Sequence, residues 1–326
     1  MANKTQYFLA VRKRKNKDRF FEDQEYKFTE LEIDCGDRWW LADPFLFEKN
    51  GITYIFYEAY DLYLHRGKIG YSILNGTKAT KPKIILNCPY HLSFPYIFEK
   101  DGEIYMMPET NEIEAIRLFR AKKFPDEWVE DKILASKICA CDTILLKNGN
   151  DAYLLTNEMP SVVPEGTSNS CWVKDVLYSL QNEQCVLNRA VQEGDAGIRN
   201  AGKIFSYNDK KIRPGQNCTN NQYGKGMIFF EINSSEPYEE KEIYRADYQD
   251  IQKHLTTKKT HINGVHTYNS TDDIEIIDVA YEAPVSTRAA IWFFLYRHTM
   301  VFKALNKLKK HLIKKSLGRE RIYANV

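Results

Sequence analysis

The chain has 326 residues, enough for a large core built as one large domain or two smaller ones. Its 46 Lys and Arg nearly balance 44 Asp and Glu, for a formal net charge of +2. The N-terminus lacks the apolar segment of a secretory signal, and the seven cysteines are irregularly spaced. We therefore expect reduced core cysteines in a cytosolic protein rather than a disulfide framework.

Taken in chain order, residues 1–38 predict one or two strands with a basic hairpin at residues 12–17. A sequence repeat follows. Each copy has a polar residue, an apolar strand, a turn, and a second apolar strand with an aromatic side chain. The repeat occupies residues 42–58, 93–109 and 141–157, a spacing of 51 and then 48 residues. The turns suit two-residue β-hairpins because both central positions tolerate positive φ. These turns are Asn50-Gly51, Asp101-Gly102 and Asn148-Gly149.

A hairpin recurring about every 50 residues is typical of propeller blades. A fourth unit opens at Asn200, turns at Asn208-Asp209 and continues to residue 231, and a fifth runs from Gly264 to Asp278. Outer strands are predicted between the repeats, at residues 68–74, 115–120 and 171–180. The sequence thus predicts an all-β, five-bladed β-propeller as a single domain over residues 1–283. A β-sandwich is the alternative, but it gives no reason for near-constant spacing.

Residues 284–326 differ from the rest of the chain. From residue 283 onward there are ten Lys or Arg and one acid, a net charge of +9, which leaves −7 for the remainder. Residues 289–296 are an apolar run too short to cross a bilayer. Beyond them, apolar residues recur at helical spacing and lysines fall largely elsewhere on the helix. The apolar set is Phe302, Leu305, Leu308 and Leu312, and the lysines are Lys303, Lys307, Lys310 and Lys314.

This pattern predicts a basic amphipathic α-helix after the propeller. Through residues 289–317 it would contact an anionic membrane surface, with the protein peripheral on the cytoplasmic face of the cell membrane. The alternative is a helix that packs its apolar stripe on the propeller and leaves the lysines in solvent. No recognition module for nucleic acid accompanies the charge, so we predict no nucleic-acid partner.

Six motifs together carry a resemblance to a known family. They are residues 39–45 (WWLADPF), 91–96 (HLSFPY), 107–110 (MPET), 124–128 (FPDEW), 213–218 (RPGQNC) and 264–269 (GVHTYN). On these motifs the chain resembles the N-terminal domain family of glucosamine inositolphosphorylceramide transferase over roughly residues 35–280. That family is similar to the five-bladed propellers of glycoside hydrolase family 43 and related furanosidases. The resemblance implies a role in surface-polysaccharide or glycolipid assembly.

In a propeller the first strands of all blades meet at one axis, so the residues that open the repeats should be neighbours. Asp43 opens the first repeat and Asp142 stands at the matching place in the third. By resemblance to the hydrolase propellers, Asp43 would be the general base and Asp142 an orienting residue. Carboxylates that converge shift apart in pKa, so one can act as base and another as acid. Alternatively, Asp43 before Pro44 merely caps a turn.

The general acid is harder to place. The hydrolase propellers take it from a Glu in the fourth blade, yet the fourth unit here opens with Arg199-Asn200-Ala201. Glu109, at the end of a strand in the second blade, is the candidate acid, and Glu58 holds the equivalent place in the first. Both could instead be carboxylates that face a loop.

Basic and amide side chains gather where the acid is missing. Such donors suit the phosphate of a leaving group, which departs without an acid if cations neutralise its charge. They are Arg199, Lys203, Arg213, Gln216 and Asn217 from unit four, His91 from unit two and His266 from unit five. Arg213 could instead pair with a surface carboxylate, and His266 could be a core group or lie near calcium. Trp40 and Tyr268 are candidate sugar-stacking rings.

We therefore predict glycosyl transfer from a phosphate-linked sugar donor in polysaccharide or glycolipid biosynthesis. Asp43 would be the base and Asp142 its orienter, with Arg199 and Arg213 on a phosphate. The sugar hydroxyls of a nucleotide sugar or glycan would be bound by His91, Gln216, Asn217 and His266. No motif for a metal or a cofactor is found, and none is predicted. The alternatives are a furanosidase-type hydrolase with Glu109 as acid, and a non-catalytic sugar-binding propeller.

Overall fold

The computed structural model describes residues 3–14, 27–148, 151–181, 184–298 and 307–308. Their strands form five separate sheets arranged around one axis, which confirms the predicted five-bladed β-propeller. Two strands precede the first blade: β1 (Asn3–Lys13) and β2 (Phe28–Glu30).

Blades I to III are the three sequence repeats, each extended by outer strands. Blade I contains β3 (Trp39–Lys49), β4 (Ile52–Asp61), β5 (Arg66–Asn75), β6 (Lys78–Ala79) and β7 (Lys83–Leu86). Blade II contains β8 (Ser93–Lys100), β9 (Glu103–Glu109), β10 (Ala115–Lys123) and β11 (Glu127–Ser136). Blade III contains β12 (Ala140–Asn148), β13 (Asp151–Glu158), β14 (Val173–Gln181) and β15 (Gln184–Gly194).

Blade IV follows the same antiparallel order with one extra short strand. It contains β16 (Ala196–Asn200), β17 (Phe205–Tyr207), β18 (Lys210–Asn217), β19 (Gly226–Ser235) and β20 (Tyr238–Asp247). A short helix, α1 (Tyr248–Lys253), leads to the last strands of the ring. These are β21 (Leu255–Thr256), β22 (Ile262–Gly264), β23 (Tyr268–Ser270) and β24 (Ile274–Pro284).

Blade V is assembled from both ends of the chain. β1 pairs antiparallel with β24 in a continuous register from Asn3↔Pro284 to Lys13↔Ile274, and β2 adds the next strand outward. The fifth unit, predicted over residues 264–278, is therefore corrected in extent. Alone it has too few strands to bury its faces, and residues 3–13 and 28–30 complete it.

The first three inner strands share a backbone irregularity near their start. The register shifts between Ala42 and Phe45, between Ser93 and Tyr96, and between Cys141 and Ile144. Within these shifts Asp43, Phe94 and Asp142 have φ of 50°, 44° and 46°. Such bulges re-aim a side chain, and positive φ outside glycine is uncommon. The sequence repeat thus encodes a bulge at one matched position in each of these three strands.

Apolar side chains fill the seams between blades I, II and III, whereas the seam between blades III and IV has a polar core. There Arg213 donates to Glu240 (Nε to Oε2, 2.7 Å) and to the carbonyl of Gly197 (2.9 Å). Gln192 of blade III donates to Glu240 (2.8 Å) and to Asp175 (3.0 Å). Arg213 is fully buried, so this ion pair is screened little by solvent.

The C-terminal region begins as predicted, with a helix. α2 (Thr287–His298) starts three residues after β24, and in the described part of the chain no helix is long and apolar enough to cross a membrane. Leu308 is exposed. The other residues of the predicted amphipathic pattern, Phe302, Leu305 and Leu312, lie outside the described residues. The division at residues 283 and 284 stays a prediction.

Replacing Arg213 by Met tests the polar seam. We expect a loss of about 3–5 kcal/mol in the free energy of unfolding, because Glu240 is left as an unpaired buried charge. Urea denaturation measures this loss. The double variant Arg213→Met/Glu240→Gln should recover part of it, whereas simple addition of the two single losses would contradict a direct coupling.

Candidate active site

The site is built around Asp43, where the first inner strand bulges. Its carboxylate accepts hydrogen bonds from the Phe94 N–H (3.1 Å) and the Thr267 hydroxyl (2.8 Å), so residues of blades II and V hold it. The Asp43 N–H donates to Asp278 (3.0 Å). The side chain is only 7% exposed, so Asp43 is buried among the blades rather than capping a surface turn.

His266 bridges two carboxylates. Its Nε2 lies 3.3 Å from Asp43 and its Nδ1 lies 2.8 Å from Asp278. Asp278 in turn accepts the N–H groups of His266 (3.0 Å) and Thr267 (2.9 Å). These contacts lower the pKa of Asp278 despite its burial. Burial alone would lower the pKa of His266, but Asp278 and Asp43 outweigh it and raise the value to about 9. An imidazolium therefore sits beside Asp43 at neutral pH.

Asp142 is held by a second cation. Arg199 Nε donates to the Asp142 carboxylate, and its NH2 group lies 3.7 Å from Glu109. Gln216 also donates to Asp142 (3.3 Å). The guanidinium stacks over Tyr223, 5.2 Å from the ring centroid, and donates to a backbone carbonyl. Its pKa is raised well above the ordinary value because Asp142 outweighs burial, so Arg199 is a permanent cation here.

Glu58 and His91 meet at the edge of the cluster. His91 Nδ1 accepts the Gly67 N–H (3.0 Å), which leaves the proton on Nε2, 3.4 Å from Glu58. A Cβ at position 67 would lie 2.4 Å from the Glu58 carboxyl and 2.8 Å from the His91 ring, so this close approach requires glycine. Glu58 is buried, whereas the His91 side chain is 34% exposed and therefore lies where the cluster meets solvent.

The buried carboxyls of the cluster have different protonation states. Burial, opposed by His266, raises the pKa of Asp43 to about 6. Burial and the Asp142 charge raise the pKa of Glu109 to about 8. Burial and the neighbouring carboxylates, Asp43 first, raise the pKa of Glu58 well above its usual range. At pH 7 Asp43 is therefore mostly ionised, and Glu109 is mostly protonated.

Among the residues that the structure describes, two groups of side chains have donor atoms close enough to hold a metal: Asp43, His266 and Asp278, and Glu109, Cys141 and Asp142. In the first, each donor is already paired with another member of the group. In the second, Asp142 is paired with Arg199, and the Cys141 thiol lies 3.2 Å from a backbone carbonyl. The arrangement fits internal ion pairs better than an ion site.

The structure brings together Asp43, Glu58, His91, Glu109, Asp142, Arg199, Gln216 and His266. Trp40 lies beside them, stacked on Tyr60 at 4.4 Å and next to Tyr7, whose ring is 4.8 Å from His266. In blade II the position that matches Asp43 is Phe94, so His91 enters from the preceding loop rather than from the inner strand.

Four candidates are corrected. Arg213 is enclosed by Glu240 and backbone carbonyls and cannot hold a phosphate. Tyr268 is fully buried, packs on Phe229 and donates to Glu275, so it offers no face to a sugar. The Asn217 side chain donates to Asp247 and caps the following turn.

Lys203 is the fourth correction. Its amine lies 5.8 Å from the centroid of the Tyr96 ring and beside Lys147. Both neighbours lie further along their strands than Phe94 and Asp142, the residues that match Asp43. The predicted cationic clamp is therefore reduced to Arg199.

Sequence reasoning missed three contributors: Asp278, Tyr7 and Tyr223. Asp278 interrupts the apolar strand at residues 276–280, and a lone carboxylate in a buried strand is a usable signal. Tyr7 lies on β1, which had been assigned to no blade. Tyr223 lies in the loop after β18, where no sequence pattern marks it.

The pKa shifts predict an unusual dependence of stability on pH. The folded values of Glu109 (about 8) and His266 (about 9) exceed the ordinary values of 4.5 and 6.5, so the folded chain retains protons that the unfolded chain releases. The free energy of unfolding should therefore fall as pH rises from 6 to 8. Urea titrations at both pH values measure this fall. Glu109→Gln should make it shallower, and a stability that rises over this range would contradict the assignment.

Comparison with known proteins agrees with the sequence resemblance. At 32% identity over 210 residues, the chain matches Glucosamine inositolphosphorylceramide transferase 1 of Arabidopsis thaliana, with 62% of this chain and 27% of the relative aligned. The protein of that name in Oryza sativa subsp. indica is 30% identical over 212 residues, with the same coverage. The chain thus spans about a quarter of the length of these curated relatives.

Among solved structures, the RS223 beta-xylosidase superposes with a TM-score of 0.50 at 11% identity, covering 78% of this chain and 94% of that one. At this identity the likeness shows the fold alone. The family described as Glucosamine inositolphosphorylceramide transferase 1, N-terminal, matches residues 34–279, about three quarters of the chain. The chain belongs to this family.

Proposed function

We propose that the chain catalyses glycosyl transfer from a phosphate-linked sugar donor in the assembly of a cell-surface polysaccharide or glycolipid. Asp43 would deprotonate the acceptor hydroxyl and Glu109 would protonate or hydrogen-bond the leaving oxygen. The observation that carries the proposal is the pair of protonation states within one cluster, with pKa values of about 6 for Asp43 and about 8 for Glu109. Family membership and the names of the curated relatives support transfer as the reaction.

The surrounding groups have distinct roles in this proposal. His266 keeps Asp43 ionised, and Asp278 fixes the His266 ring. Arg199 orients Asp142 and supplies positive charge near the leaving group. Because the clamp is reduced to one arginine, the acid role of Glu109 replaces the charge neutralisation that Lys203 and Arg213 were expected to provide. His91 and Trp40 stand at the rim, where a sugar would enter.

A furanosidase-type hydrolase is the second candidate, and the same Glu109 favours it. Hydrolysis requires a protonated carboxyl beside the leaving oxygen and a carboxylate opposite, and the cluster contains both. The two reactions differ in the group that accepts the sugar: transfer yields a glycosylated acceptor, whereas hydrolysis yields free sugar. A third candidate, non-catalytic sugar binding, requires neither protonation state.

Substitution of the two carboxyls tests the chemistry. A thermal-shift screen of nucleotide sugars and free sugars first identifies the ligand. With that ligand, Asp43→Asn should lower turnover by about 10²–10⁴-fold, because the base is lost, while binding persists. Activity of the parent should fall below pH 6, as Asp43 protonates, and above pH 8, as Glu109 ionises. Glu109→Gln should abolish the alkaline limb.

Asp272→Asn provides the matched control, since Asp272 lies in the loop between β23 and β24 and outside the cluster; it should retain parental turnover. Chromatography of the products separates transfer from hydrolysis. Bound ligand without turnover in the parent chain would reject both reactions and leave sugar binding.

We also propose that the C-terminal region attaches the protein to an anionic membrane surface on the cytoplasmic face. α2 exposes Ile291, Trp292, Phe294 and Leu295, and the chain continues with the basic segment. On a helical wheel these four side chains span one side, roughly opposite the buried Ala289. Trp292 stacks on Tyr63 of the β4–β5 loop (5.9 Å), so the exposed side is tied to blade I. An apolar helix face followed by lysines is the chemistry of an interfacial segment.

Vesicle sedimentation tests this attachment. The full chain should sediment with vesicles containing phosphatidylserine at low salt and less at high salt, because the lysines are screened. Trp292→Asp/Phe294→Asp should reduce sedimentation. The control Val162→Asp alters an exposed apolar residue elsewhere and should behave as the parent. Unchanged sedimentation after truncation at Ala283 would reject the proposal.

A further inference from the structure

A second candidate binding region lies at the opposite end of the inner strands. β12 runs from Asp142, in the carboxyl cluster, to Lys147 five residues later, about 16 Å along an extended strand. Lys203 lies near this end, with its amine over the Tyr96 ring. Burial and the charge of Lys147 lower the pKa of Lys203 to about 8. The two lysines therefore repel one another, and an anion near both would be attracted to this end of the strands.

A cavity opens beside Lys147, in the seam between blades II and III. Its volume is about 420 Å³, within the range of small-molecule sites. The floor is apolar and comes from both blades: Phe98, Met107 and Leu118 from blade II, and Leu145 and Leu154 from blade III. Apolar surface of this kind favours a hydrocarbon chain over a sugar.

The charges around this cavity are mostly positive. Lys100, Lys132 and Lys147 line it together with Asp151, the one acid among its lining residues. The Tyr96 hydroxyl lies 3.4 Å from the carbonyl of Leu145, which places the ring under Lys203 next to the cavity wall. The cavity therefore combines an apolar interior with an excess of cations among its lining residues.

We propose that this seam cavity binds a fatty acid, with the acyl chain against the apolar floor and the carboxylate between Lys147 and Lys203. An anionic headgroup would relieve the repulsion between the two amines, and the chain would remove apolar wall from water. The inference is independent of glycosyl transfer, because it concerns residues at the other end of the propeller.

Fluorescence titration tests the proposal with cis-parinaric acid, a fatty acid that becomes fluorescent in apolar surroundings. The full chain should bind it saturably at one site. Saturated fatty acids of eight to sixteen carbons should displace it, each added methylene tightening binding up to fourfold until the cavity is full, about the value expected for a buried CH₂. Methyl palmitate should displace it far less well than palmitate, because the ester lacks the charge.

Variants assign the site. Lys147→Glu should weaken binding about tenfold or more, since it places like charge at the headgroup. Leu154→Trp should weaken it by filling the cavity. Lys241→Glu, an exposed lysine on the outer strand of blade IV, should bind as the parent does. Thermal denaturation identifies a variant that fails to fold. If Leu154→Trp fails to fold, Lys147→Gln is measured instead, and it should weaken binding less than Lys147→Glu does.

Three results would overturn the proposal: no saturable binding, equal binding by Lys147→Glu and the parent, or equal displacement by the ester and the acid. Absence of turnover at the Asp43 site would not affect this result, so the fatty-acid proposal and the glycosyl-transfer proposal are tested independently.

Discussion

The pairing of β1 with β24 is the constraint on which the rest of the structure depends. It closes the ring by joining the two ends of the chain, and it places blade V against blade I. Both strands also contribute to the site: Asp278 lies on β24, and Tyr7 lies on β1. Because Asp278 accepts the Asp43 N–H, ring closure and the geometry of the candidate base are parts of one hydrogen-bonded arrangement. A looser seam here would release the residue on which the proposed chemistry rests.

Within the closed ring, charge rather than shape distinguishes the site. Five carboxyls share the described part of the cluster with two cations, Arg199 and His266, in a buried environment. Full ionisation would be prohibitively unfavourable, so the pKa values of the carboxyls are driven apart. Asp278, bonded to His266, has a lowered pKa, and Asp43, beside the same imidazolium, gives up its proton before Glu109 does. The division into acid and base follows from where the two cations are fixed.

The blades and part of the candidate site could be predicted from the sequence because the same hairpin recurs along the chain. The hairpin turns at Gly51 and Gly102 predicted the blades, and Asp43 and Asp142 followed as matched positions on the axis. Residues without a matched position were harder. Arg213 resembled a phosphate ligand, yet its role is set by Glu240, 27 residues away on another strand, and no local pattern encodes that contact. The prediction that Tyr268 stacks on a sugar was wrong for the same reason. The sequence does not distinguish an aromatic side chain that faces the axis from one that packs in the core, and contacts with Phe229 and Glu275 hold Tyr268 in the core.

The closing seam also has a consequence for how the protein is made. β1 leaves the ribosome well before its partner, which is about 270 residues behind it, so it must wait until blades I to IV and β24 have been synthesised. Pairings between such distant segments are slow to form, and an exposed strand edge invites association with other chains. The nascent molecule is therefore most vulnerable in the interval before β24 is complete.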